Sequence, residues 1–263
     1  MLLARADLES LLRARKLDRT LTTAGPPLGG STDEYATAPT GVTTLDAGLG
    51  GGFPRGQISE IVGARSSGRA SLLLQTLAAA TARHELVALV DALDMLDVAS
   101  ADAAGVDLGR LLWIRGRLGA AGGPGVSIAP NAGLCRDMHQ RALDRAIKAL
   151  TLVLQAGNFG LVAFDAADAP RHVLQRLPFT TWRRLQRLIE GSQTACVLVG
   201  DTPIARSAGG LTVRVNRAGG AGMAGGVKVD GWLFKGLEFE IDVIGARAQR
   251  QENVCVSVST HCA

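Results

Sequence analysis

The chain has 263 residues, 47% of them hydrophobic, which is length and apolar content for one large α/β domain or two small ones and excludes disorder of the whole chain. The formal charge is only +4, with a sequence pI of about 9.2, a mild bias toward anionic partners that decides little by itself. No stretch reaches the roughly 18 uninterrupted apolar residues that span a bilayer. The opening MLLARADLESLLRARKL carries acids and bases where a signal peptide would be apolar, so no membrane is expected and the expected location is the cytoplasm.

In chain order, Leu2, Leu3, Leu8, Leu11, Leu12 and Leu17 recur among charges, which predicts an amphipathic helix over residues 1–20. Its apolar stripe could cover its own core, a second copy or another protein. Residues 21–40 are rich in Pro, Gly, Ser and Thr with neither period, and read as a flexible linker. From residue 41 to 247, β-like and helix-like stretches alternate. ISEIV is a strand, Gly68 to about Arg83 a helix, ELVALVDA a strand, VASADAAG a short helix and LLWIRG a strand. A long helix from about Arg136 to Gln155 follows, then the strand FGLVAFD, the helix TTWRRLQRLIEG and the strand ACVLVGD. LTVRVNRA, VKVDGWLF and LEFEIDVIGA complete the order as strands, and residues 248–263 form a C-terminal tail. Apolar strands joined through helices need crossover connections, hence one α/β core with a mostly parallel twisted sheet and helices on both faces. The last three strands have no helices between them and are expected to form an antiparallel C-terminal extension.

The 33 glycines follow no period and cluster at turn-like places such as GLGGGFPRG and RAGGAGMAGG, so no repeat array is indicated. Cys135, Cys196, Cys255 and Cys262 are scattered, with no C-x-x-C pair, and suggest neither a zinc site nor a disulfide framework. His84, His139, His172 and His261 are equally dispersed, and no metal is expected.

GARSSGRAS, residues 63–71, lies after a strand and before a helix, with Gly63 and Gly68 bracketing four residues. That is the spacing in which Ser66, Ser67 and the neighbouring backbone N–H groups cradle phosphate at a helix N-terminus. A working loop continues with lysine on the terminal phosphates and a Ser or Thr on magnesium. Here Arg69 keeps the charge in a longer, planar form, Ala70 has no oxygen, and Ser71 is rotated by about 100° from the required direction. A tight glycine turn without a ligand is the competing reading. Asp165, ending GLVAFD, stands where an acid would hold the magnesium water shell.

TGVTTLDAGLGGGFPRGQISEIVGARSSGRASLLLQ resembles the opening of the RecA-type core, and VALVDALDMLDVASADAAGVDLGRLLWIRG resembles its second strand, acidic turn and approach to the third. FDAADAP, VLVGDTPIARSAGGLTVRVNR and LFKGLEFEIDVIGAR continue the likeness in the same order, over about residues 40 to 247. Within that superfamily, TTWRRLQRLIEGSQTACVLVGDTPIARSAGGLTVRV looks most like the ImuA branch. The resemblance implies a nucleoid-associated role in damage-induced (SOS) mutagenesis and translesion synthesis. The partners it implies are an ImuB-like inactive Y-family polymerase homologue and an error-prone C-family polymerase, with RecA, DNA and self-association as further candidates. The departures concern ATP chemistry: beside Arg69 and Ala70, the position of the water-activating glutamate holds Leu93, which accepts no proton, and Asp94 projects differently. Where RecA has a phosphate-sensing glutamine and a long loop, this chain has Asp201 and the short TPIARSAGG. The expectation is a non-enzymatic adaptor without a required cofactor, leaving room for ATP binding without hydrolysis; the alternative is an active DNA-dependent ATPase. Arg171, Arg176, Arg183, Arg184 and Arg187 are the candidate DNA or partner contacts, weighed against a merely solvated helix face.

Overall fold

A computed structural model describes residues 37–116, 132–205, 210–217, 229–230, 233–234, 237–246 and 255–260. The expected helix over 1–20 and the linker as far as residue 36 lie outside them. The linker's last residues do not behave as one: Thr37–Ala38 form β1, paired antiparallel with β2 (Phe53–Pro54), and Thr40 is fully buried. Asp46 fixes this entry by accepting the Thr40 N–H and hydroxyl at 2.7 Å each and the Gly41 N–H at 3.1 Å, at the start of α1 (Thr43–Gly48).

The central strands are β3 (Ile58–Val62), β4 (Val87–Asp91), β5 (Leu111–Arg115), β6 (Leu161–Asp165), β7 (Ala195–Gly200), β8 (Leu211–Arg217), β11 (Leu237–Ala246) and β12 (Cys255–Thr260). They form one sheet in the order β12-β11-β8-β3-β7-β6-β4-β5, parallel from β8 to β5 and antiparallel at β11 and β12. The main helices are α2 (Arg69–Ala82), α3 (Val98–Ala103), α4 (Ala132–Ala156), α5 (Arg171–Leu174) and α6 (Phe179–Ile189).

β3, β4 and β7 are buried at every residue, as strands covered on both faces must be. Side chains alternate between two cores. Val87 and Leu89 meet α2 through Leu72, Leu73 and Leu77, while Ala88 and Val90 face the α4–α6 side through Leu143, Leu150 and Trp182. There Trp182 packs edge-on to Phe164 of β6, with ring centroids 6.2 Å apart. At the strands' N-terminal ends, Arg55 donates to Thr37 O, Gly160 O, Gln193 O and the Glu85 carboxylate, bolting β1, β6 and β7 to the turn after α2.

Three strand expectations are corrected in detail. β8 is antiparallel to β11 as expected but parallel to β3 on its other side, so it joins the parallel part of the main sheet to the antiparallel extension. VKVDGWLF is not one strand of the main sheet: among the described residues its β9 (Val229–Asp230) and β10 (Leu233–Phe234) pair with each other in a separate two-stranded sheet. The extension is instead completed by β12, from the segment read as a tail.

Glu60 of β3 binds the connection that leads to β8. The connection over residues 201–210 leaves the C-terminal end of β7 and returns to the N-terminal end of β8, passing β3, whose Ser59 is level with Leu211. Parallel neighbours ordinarily require a helical crossover, which satisfies its own backbone. Here Ile204 and Ala205 are buried, and their N–H groups donate to Glu60 Oε1 at 2.5 and 2.8 Å; Thr212 donates to Oε2 at 3.3 Å. A buried acid on a central strand thus serves as the partner for these donors.

Candidate phosphate-loop site

The loop from Gly63 to Gly68 joins β3 to α2 at the carboxyl ends of the parallel strands, the edge where open α/β sheets hold ligands. Gly68 caps α2 in the left-handed region (φ 100°), and Ser66 also has positive φ (61°). Gly63 admits no side chain: a Cβ there would lie 2.4 Å from Ser67 Oγ and 2.5 Å from Val215 O. Ser67 is buried and its hydroxyl has no hydrogen-bond partner, whereas Ser66, Ala70 and Ser71 are exposed.

Arg69 does not reach out of this loop. It is 6% exposed and its guanidinium is turned inward: Nη1 donates to Gly63 O at 2.5 Å and to Asp201 Oδ1, and Nη2 donates to Ala167 O at 3.3 Å. Asp168 Oδ1 lies 3.6 Å from Nη2 and equally far from Arg65 Nη2. One side chain therefore ties the loop to the residues following β6 and β7.

Asp165 stands at the end of β6, in register with Asp91 of β4. Its Oδ1 accepts the Ala167 N–H at 2.9 Å. Burial pushes its carboxyl up to about 6, with Asp91 adding to the rise and the Ala167 N–H and Arg69 opposing it. Asp91 itself is occupied, accepting from Met95 N, Leu96 N and Trp113 Nε1 at 2.9, 2.8 and 3.2 Å.

Leu93, at the position of the expected base, packs against the α4–α6 core. Asp94 (φ 64°) makes a two-point ion pair with Arg115 at 2.6 and 2.9 Å, and Arg115 stacks on Trp113 at 4.3 Å. Gly63, Ser66, Ser67, Gly68, Arg69 and Asp165 are thus brought to one edge. Asp168 and Glu60 were missed; the signal available for Glu60 was one acid inside the apolar run ISEIV. The metal hydroxyl is absent at Ala70, and the only basic group of α2's first turn is already bound within the chain.

Arg171, Arg176, Arg183, Arg184 and Arg187 lie on or beside α5 and α6, all exposed. Among the described residues none of them makes an ion pair, and Arg183 lies over the Phe179 ring at 5.8 Å. The structure does not join them to the phosphate loop.

Residues 27–121 match the family described as the RecA N-terminal domain. Over 76 residues the chain is 45% identical to Protein RecA of Prochlorococcus marinus (strain MIT 9303), covering 29% of this chain and 20% of that protein. Over 80 residues it is 48% identical to Protein RecA of Brucella anthropi, covering 30% and 22%. A KaiC-like protein of Pyrococcus horikoshii OT3 superposes over 85% of this chain and 94% of its own, with a TM-score of 0.51 and 13% identity, a likeness of fold. Residues 27–121 are thus similar in sequence to the RecA N-terminal domain, and the chain shares its fold with the KaiC-like protein. The chain spans only about a fifth of the length of the first RecA proteins it matches. The matched segment runs from ahead of β1 through β5 and so contains the loop from Gly63 to Gly68, but neither Asp165 nor Asp201.

Proposed function

We propose that this RecA-type core serves as an accessory protein of damage-induced translesion synthesis, ImuA-like, holding partners rather than hydrolysing ATP. The observation that carries the loss of hydrolysis is the state of Arg69: its guanidinium is consumed by Gly63 O, Ala167 O and Asp201. Ala70 and Leu93, at the metal-hydroxyl and base positions of the resemblance, support the same reading. Each such loss costs on the order of a hundredfold or more in rate. Partners of the proposed complex are an ImuB-like polymerase homologue and an error-prone C-family polymerase, and the exposed arginines of α5 and α6 are the proposed anion-facing contacts.

Phosphate release from ATP, measured with and without single-stranded DNA, tests the reading. No turnover above background is expected. Turnover that disappears in Asp165→Ala overturns it in favour of an active DNA-dependent ATPase.

A further inference from the structure

We infer that Asp201 is an internal anionic ligand of the phosphate loop, its carboxylate holding Arg69 in the role that a phosphoryl group would otherwise take. The inference deepens the reading above and rests on it for the identity of the loop.

A buried guanidinium requires a partner, because an unpaired charge away from water is costly. Arg69 is such a group, its side chain only 7% exposed, and Asp201 answers it from a carboxylate that is 56% exposed. The pair is therefore asymmetric. Arg69 is fixed by Gly63 O and Ala167 O, whereas no other hydrogen bond to the Asp201 carboxylate is found among the described residues. Asp168 does not substitute for it, standing 3.6 Å away and shared with Arg65.

Around the loop, the two arginines Arg65 and Arg69 are outnumbered by the three acids Asp165, Asp168 and Asp201. An arriving phosphate meets an arginine already neutralised and a carboxylate of its own sign. The curl of the loop and the N-terminus of the fourteen-residue α2 otherwise favour an anion. Asp201 thus acts as a competitor in cis at high effective concentration. Removing its charge should open the site without rebuilding it.

The test is calorimetric titration of the full chain with pyrophosphate and with ATP. It compares the wild type, Asp201→Asn, Asp201→Ala, and Asp201→Ala combined with Arg69→Ala. Pyrophosphate should bind Asp201→Ala at least tenfold more tightly than the wild type, Asp201→Asn should fall between them, and the double variant should lose the gain. Equal affinity in the wild type and both single variants, or no binding in any of them, overturns the assignment. ATP turnover in the same samples separates the two readings. Turnover gained in Asp201→Ala leaves the internal ligand standing and shows that Ala70 and Leu93 do not abolish hydrolysis. Unchanged affinity without turnover removes the ligand and leaves the accessory reading intact.

Discussion

Arg69 illustrates how one residue type changes what a loop can do. A lysine ammonium is a compact point charge, while a guanidinium offers five donors in a plane and can satisfy several acceptors at once. Here that plane is used on Gly63 O, Ala167 O and Asp201, so the substitution becomes a structural tie. Asp165 beside it carries a pH signature. Its carboxyl, raised to about 6 from an ordinary 3.8, holds its proton more tightly in the folded chain. It contributes stability in full below about pH 4, and that contribution fades as pH rises through about 6. In urea unfolding from pH 4 to pH 7, Asp165→Asn should gain on the wild type by at most about 3 kcal/mol. A difference curve that stays flat over that interval would refute the burial argument.

At the scale of elements, the crossover between β7 and β8 is the feature that departs most from simple α/β construction, since its described residues 201–205 and 210 form no helix. Its stability is concentrated in Glu60, whose carboxyl is raised above the usual range by burial although the Ile204 and Ala205 N–H groups and Thr212 pull it down. Glu60→Gln keeps an oxygen for both backbone donors and an amide for Thr212, so it should change stability by less than about 1 kcal/mol. Glu60→Ala strands two buried N–H groups and should cost roughly 3 kcal/mol. Hydrogen exchange at Ile204 and Ala205 should accelerate in the alanine variant and not in the glutamine one. The edge strand β5 differs from its neighbours in exposing Leu112 at 45%, since nothing pairs with its outer side among the described strands.

Across the whole molecule, charge is distributed unevenly despite the net +4. The layer of α4, α5 and α6, with the residues joining the last two, exposes Arg141, Arg145, Lys148 and the five arginines from Arg171 to Arg187. Its exposed acids are Asp137, Asp144 and Glu190. No helix among the described residues is long and apolar enough to cross a membrane. Reversing Arg183, Arg184 and Arg187 to glutamate should weaken capture of an anionic partner about tenfold or more at low salt, with the effect shrinking as salt rises. The same change should move Tm by no more than a few degrees, because the three side chains are solvated. Retention of binding at every salt concentration would make the face a solvated one, as the competing reading has it.

The alternation of apolar strands and amphipathic helices, with glycines bracketing the loop after ISEIV, determined by local pattern alone the α/β core, the phosphate-loop position and the strand that ends in Asp165. Buried parallel strands and helix starts are short-range features, so their signals are contiguous in the chain. The contact of Glu60 with the β7–β8 connection, the inward turn of Arg69 and its pairing with Asp201 were decided only by tertiary structure. Each depends on groups far apart in sequence, Glu60 with Ile204 and Arg69 with Asp201, which meet only once the sheet order has brought β3 beside β7. A lone acid in a strand and an arginine in a loop each have many uses in sequence. Burial leaves them one, because a desolvated charge must find its partner within the fold.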